Sequence, residues 1–144
     1  MLSTNLSFGV ALHRAHASLQ LRLDNELGEF HGISFNDFAL LNMLAQADGG
    51  RLRILELVRP LGQPQSSVLR QLILLEKIGL VVRDGTNGDR QAVLRPAGRA
   101  VVNVARETAE SICTEAVESI DSAVIAKVSA AMVALAYAPS LALS

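Results

Sequence analysis

Apolar residues recur along the first thirty positions at Leu6, Val10, Leu12, Leu19, Leu23, Leu27 and Phe30, mostly three, four or seven apart, with polar residues between them. That spacing predicts a long amphipathic helix over 6–30, ended by Gly32. Ser34 then stands where a helix N-cap belongs, and Phe35, Phe38, Leu41, Leu44 and Ala45 continue at helical spacing as far as Asp48, Gly49 and Gly50. A further short helix is predicted from Arg53 to Arg59, stopped by Pro60 and Gly62. In the next helix Pro64 lies near the first turn, where its missing N–H is harmless. Val68, Leu72 and Leu75 share a core face of that helix, whereas Ser66, Ser67 and Arg70 cluster on another. Gly79 closes it, Leu80 to Arg83 reads as a strand, Asp84 to Asp89 with Gly85, Asn87 and Gly88 as a turn, and Arg90 to Arg95 as the returning strand. From Arg99 the pattern is helical again, with Ile112, Ala116, Ile120, Val124, Val128, Ala131 and Leu135 forming a stripe that Asp121 and Ser122 divide by capping a second helix.

A turn, a helix that opens on small polar groups and Arg, a Gly stop and a short hairpin are the grammar of a winged helix-turn-helix. In that motif the second helix enters the DNA major groove, and the hairpin reaches the neighbouring backbone or minor groove. The predicted fold is therefore mainly α with a small β-hairpin wing, a winged helix-turn-helix core at 33–98 flanked by terminal helices at 1–31 and 99–144. After Asp121 the only charged residue is Lys127. Exposed apolar surface costs roughly 25 cal/mol per Å², so this terminal helix should pack against the N-terminal helix or a second subunit. A homodimer built from both chain ends is the expectation.

Charge sharpens the picture, because the net charge of −1 conceals segregation. Residues 1–50 carry −3, residues 51–106 carry +6 from nine Arg and Lys77 against four carboxylates, and residues 107–144 carry −4. A basic middle between acidic ends fits one face for phosphates and another for something else; random clumping on a solvated surface is the bland alternative. The 144 residues suffice for one domain, half of them apolar. Aromatic content of 3%, with no Trp, disfavours a base-stacking platform for single strands, so a nucleic-acid partner would be a duplex. One cysteine rules out an internal disulfide framework and points to a reducing cytosol. The first residues lack the basic start and apolar run of a secretion signal, and no apolar stretch reaches membrane-spanning length. A soluble cytoplasmic protein with no membrane partner is expected.

Helix-rich ends around a winged helix, in this order and at this length, resemble the MarR family of bacterial transcription regulators. The match runs over roughly residues 33–110. Ile33 to Leu41 looks like the opening of that family's second helix, Leu61 to Val68 with Leu75 to Val81 like its recognition helix, and Leu94 to Arg99 like the exit from its wing. The resemblance implies a dimer that binds a near-palindromic operator as a repressor or, less often, an activator, commonly released by a small anionic or phenolic ligand. Two departures stand out. The family usually carries an acidic residue and an Arg two positions later in the wing, whereas Asp89 here is followed directly by Arg90, in a hairpin about three residues short. Leu69, Ile73 and Leu74 stand where polar or charged residues are usual, which fits either an altered base preference or a surface for protein contact.

Arg70 is the leading candidate for DNA contact, since a guanidinium binds guanine O6 and N7 bidentately or neutralises phosphate; an exposed salt-bridge partner is its bland reading. Pro64, Gln65, Ser66, Ser67 and Leu69 complete the candidate helix surface, although plain N-capping would use the same serines. Arg83 and Arg90 flank the hairpin, and Arg51 and Arg53 flank the first helix of the motif as candidate phosphate contacts. Asp89 is expected to orient Arg90, because a carboxylate aimed at phosphate is repelled. By the family analogy a ligand pocket lies between the first helix and the winged core, with Phe8, His13, Arg14, Phe35 and Phe38 supplying apolar walls and a cation.

His13, His16 and His31 complete no metal-ligating motif, so no metal and no cofactor are expected. Cys113 has no Lys, Arg or His beside it in sequence, and Glu110 and Glu115 would raise its pKa, so inert packing is preferred to redox sensing. Winged helices also serve as dimerisation segments of small-molecule methyltransferases, but this chain has no glycine-rich cofactor loop and no nucleophile motif. Catalysis is not expected. The competing reading is a winged-helix dimer that acts as a protein-interaction module without DNA binding, using the apolar side of its recognition helix.

Overall fold

A computed structural model of the protein describes residues 1–86 and 89–137. Asn87 and Gly88 of the hairpin turn, and residues 138–144 of the expected C-terminal dimerisation segment, lie outside the described residues. Six helices, α1 (Thr4–His31), α2 (Phe35–Gln46), α3 (Ile54–Leu61), α4 (Gln65–Lys77), α5 (Pro96–Ala116) and α6 (Ser122–Ala136), surround strands β1 (Arg51–Arg53), β2 (Val81–Asp84) and β3 (Gln91–Leu94).

The helix boundaries follow local chemistry. Ser3 caps α1 through its Oγ, which accepts from the Leu6 N–H at 3.1 Å, and Gly32 ends it in the left-handed conformation. Ser34 and Asp37 form a reciprocal capping box on α2: Ser34 Oγ accepts from the Asp37 N–H at 3.0 Å, and Asp37 Oδ2 accepts from the Ser34 N–H at 3.1 Å. Asp121 accepts from the Ala123 N–H at the start of α6, the division anticipated at that residue. The α3 stop differs from the expectation. Pro60 lies inside the last turn of α3, and the helix ends only where Gly62 adopts φ 62° and returns its N–H to the Arg59 carbonyl. Pro60 cannot donate to the Glu56 carbonyl one turn back, yet the backbone stays helical to Leu61, and the tight turn into α4 needs a residue that tolerates positive φ.

The sheet order is β1-β3-β2, all antiparallel, with β3 in the centre. β1 was not anticipated: it is three residues long and exists through pairing with a strand forty positions away, Arg51 opposite Val93 and Arg53 opposite Gln91. β2 lies one residue later than expected, ending at Asp84 rather than Arg83, and β3 is one residue shorter at each end, because the strands extend only over the positions paired from Val81 opposite Leu94 to Asp84 opposite Gln91.

One apolar core joins these elements. Leu40, Leu41 and Leu44 of α2, Leu57 of α3, Val68 and Leu72 of α4 and Val81 of β2 are fully buried, and so are Leu23 and Leu27 of α1 and Val102 and Ala105 of α5. The α1 stripe is buried only in its C-terminal half: Leu6 and Phe8 are half exposed, and Phe30 turns outward. α6 buries none of its side chains, so within the chain it does not pack along α1. It touches the winged core through Tyr137, whose carbonyl accepts from Arg59 at 2.5 Å and whose ring lies 5.5 Å from that guanidinium. Among the described residues no helix is long and apolar enough to cross a membrane.

Candidate nucleic-acid interface

α4 is anchored by Val68, Leu72 and Leu75, which turns the opposite side of its first two turns outward. Pro64 stands at the N-cap position, and Gln65, Ser66 and Arg70 are exposed beyond it. Among the described residues neither the Ser66 nor the Ser67 hydroxyl has a hydrogen-bond partner, so both keep their capacity to donate and accept; Ser67 is half-buried. Arg70 has no ion-pair or hydrogen-bond partner among the described residues. Leu69 is placed differently from the rest of that set: it is half-buried and packs on the core, so it does not join the outward face. Ile73 is also half-buried, while Leu74 and Ile78 at the far end of the helix are exposed.

Strand alternation sorts the wing arginines. Val81 is buried, and Arg83 shares its face two residues on, so Arg83 points toward the helices. Its Nε donates to Glu76 Oε1 of α4 at 2.7 Å, both side chains being partly buried. Arg83 thus braces the wing against α4. The opposite face of the sheet carries Arg51, which donates to Gln91 Oε1 at 3.0 Å and lies 3.8 Å from Asp84. Arg53 lies 3.5 Å from Asp89. Asp89 was expected to orient Arg90, and its described ion-pair partner is instead Arg53, which the β1–β3 pairing brings alongside. Arg90 is exposed at the turn end of the hairpin, just before β3, and its carbonyl accepts from the Ile54 N–H at 3.0 Å. Gln65, Ser66, Arg70, Arg90, Arg51 and Arg53 are exposed, then, while the aspartates beside Arg51 and Arg53 hold those two side chains at half-exposed, weakly interacting pairs.

A second feature lies between α2 and α5. Phe35 and Phe38, stacked with ring centroids 6.0 Å apart, line an open hollow of about 310 Å³ with Asn42, Gln46, Arg106 and Cys113. Arg106 donates to Asn42 Oδ1 at 3.0 Å and supplies the cation at this wall. Phe8, His13 and Arg14 are exposed on the N-terminal half of α1 and do not line it. Arg106 was missed because it belongs to α5, which the chain brings back only after the wing. The signal available was the spacing of Arg106, Glu110 and Cys113 at i, i+4 and i+7, which puts all three on one helical face.

Among the described residues no three His, Cys, Asp or Glu side chains converge as a metal site. His31 Nε2 and Thr108 Oγ1 share a hydrogen bond of 2.8 Å that ties α1 to α5. Burial pushes the Cys113 thiol above its ordinary pKa, and Arg22, brought in by α1, opposes the shift. The cause is thus desolvation rather than the neighbouring glutamates. The thiolate is the reactive form, so Cys113 should alkylate with iodoacetamide at neutral pH several-fold more slowly than a free thiol, and regain the ordinary rate in urea. Equal rates folded and unfolded would contradict the burial.

A family model described as the IclR helix-turn-helix domain matches residues 38–85, from within α2 to just past β2. No curated protein sequence matches the chain. Solved structures do. A MarR-family transcriptional regulator from Rhodococcus sp. RHA1 superposes with a TM-score of 0.86 at 16% identity, over 96% of this chain and 99% of the other. CouR from Rhodococcus jostii RHA1, solved bound to p-coumaroyl-CoA, superposes with a TM-score of 0.85 at 19% identity, over 95% and 98% of the two chains. A MarR-family regulator from Streptomyces coelicolor, solved in complex with DNA, gives 0.80 at 22% identity, over 94% and 87%. With the exposed helix face, the braced wing and nearly end-to-end coverage of these structures, the chain has the fold of the MarR-family transcriptional regulators.

Proposed function

We propose that the protein is a sequence-specific, double-stranded-DNA-binding transcriptional regulator that acts as a homodimer on a near-palindromic operator. The observation that carries this reading is the outward face of α4, where Gln65, Ser66 and Arg70, which has no partner among the described residues, stand on a helix whose other side is locked into the core. The +6 charge of residues 51–106 supports it, as does a DNA-bound structure with the same fold. Arg90 is the wing residue aimed at the backbone or minor groove, and Arg51 and Arg53 add phosphate contacts once DNA competes for them. The dimer is built from 1–31 and 99–144, whose exposed Leu6, Phe8, Val124 and Val128 need a covering surface. We assign repression to the DNA-bound state and release to a small aromatic or anionic effector in the hollow lined by Phe35, Phe38 and Arg106. The neighbour bound to p-coumaroyl-CoA supports an effector of that chemistry. The protein-interaction reading is favoured by exposed Leu74 and Ile78 but loses Leu69, which packs inward.

Fluorescence-anisotropy titration against the upstream intergenic DNA of its own gene and a scrambled duplex, at two salt concentrations, tests the reading. Preference for the upstream DNA is expected, with affinity falling steeply as salt rises. Arg70→Ala should weaken that binding by about 1 to 3 kcal/mol while light scattering still reports a dimer. Equal affinity for both duplexes would sink the DNA reading and leave the protein-interaction module.

A further inference from the structure

The apolar contacts that hold α4 in place are non-directional, so by themselves they tolerate small rotations and slides of the helix. Directional contacts remove that freedom, and among the described residues α4 makes two through its side chains. At its C-terminal end Glu76 takes the Arg83 guanidinium at 2.7 Å. In its middle Gln71, the residue next to Arg70, donates from Nε2 to Asp37 Oδ1 at 2.9 Å. Asp37 is itself fixed, because its other oxygen accepts from the Ser34 N–H in the α2 capping box. The same turn is tied to α1 by the Phe35 N–H, which donates to Asp24 Oδ1 at 2.7 Å. Three helices therefore meet at one short polar junction beneath the exposed face of α4.

We infer that Gln71 and Asp37 are positioning residues for DNA recognition: their hydrogen bond sets the rotation of α4 and hence the direction in which Arg70 and Ser66 project. This inference rests on the DNA-binding reading above. Gln71 Oε1 is buried and has no hydrogen-bond partner among the described residues. A buried acceptor without a partner costs stability, so the side chain is a poor choice for the fold alone. An amide flipped to satisfy that oxygen would aim it at the Asp37 carboxylate, which accepts and cannot donate. The arrangement is consistent with a residue kept for its donor end.

Gln71→Met keeps the length and removes both the donor and the orphan acceptor. A positioning role predicts three results together. The melting temperature is unchanged or higher. Backbone amides in 66–73 exchange with deuterium several-fold faster in the free protein. Affinity for the upstream duplex falls about fivefold to tenfold, the size of one directional hydrogen bond, while affinity for the scrambled duplex is retained. Asp37→Asn, whose amide cannot accept from both Ser34 and Gln71, should quicken exchange in the same segment, and the double variant should be no faster than Asp37→Asn. Unchanged exchange in Gln71→Met overturns the inference whether or not the protein binds DNA. A lower melting temperature with equal losses on both duplexes also overturns it, as a purely structural role would give that pattern. Faster exchange in a protein whose unaltered form does not discriminate the duplexes would instead sink the DNA-binding reading.

Discussion

Replacing Gly98 by Ala is expected to destabilise the protein by about 3 kcal/mol, the upper end of the usual cost of overpacking. In an open helix the same change would be favourable by roughly 1 kcal/mol, since Ala outranks Gly in helix propensity. Here the added Cβ would lie 2.2 Å from the Leu80 carbonyl oxygen, 2.7 Å from Leu94 Cδ1 and 3.1 Å from the Leu80 carbonyl carbon. The leucine side chain can move aside, but the carbonyl cannot: it accepts from the Arg95 N–H at 3.0 Å and so forms part of the seam between the wing and α5. Steric cost therefore outweighs propensity, and the first turn of α5 must lift from the sheet. Urea denaturation followed by far-UV circular dichroism measures the loss. A Gly98→Ala variant as stable as its parent would show that the close approach is not real.

Leu72→Ala should cost about 2 to 5 kcal/mol, the range for removing a leucine from a packed core. Leu72 is 0% exposed and lies between Val68 and Leu75 on the buried side of α4, the helix that packs on α3 and β2. The lost side chain leaves a void under the helix that carries the proposed DNA-reading residues, so DNA affinity should fall along with stability. Leu74→Ala provides the contrast. Its side chain is 57% exposed, and its removal should change stability by no more than about 0.5 kcal/mol. Equal losses at the two positions would mean that α4 is rotated from the orientation described.

Much of the fold was legible in the chain because helices are encoded locally. The apolar spacing of Val68, Leu72 and Leu75, the Ser34 cap with Asp37 three residues later, the Gly62 and Gly79 stops and the Asp121 cap all act within a turn or two of backbone. The stop falls at Gly62 rather than Pro60 for a related reason: proline costs one backbone hydrogen bond but keeps a helical φ, whereas the reversal into α4 needs positive φ. The stripe in the N-terminal half of α1 and throughout α6 also reads correctly as helix. Periodicity alone, however, does not say whether a partner within the chain covers it, and none does in α6.

What the residues dictated unaided was therefore the order of helices, the exposure of Gln65, Ser66 and Arg70 within a candidate face that also included the half-buried Ser67 and Leu69, and the basic middle of the chain. These follow from period, capping and charge, which need no knowledge of distant neighbours. Tertiary structure alone decided the partners. Pairing across forty positions made Arg51–Arg53 a strand and set Arg53 beside Asp89. Strand alternation turned Arg83 inward to Glu76, and the core claimed Leu69. Return of α5 onto α2 put Arg106 into the hollow by Phe35 and Phe38, and the placing of α4 within reach of the start of α2 joined Gln71 to Asp37. Each of these depends on where two separated segments meet, and that is fixed by burying one shared apolar core rather than by any pattern within either segment.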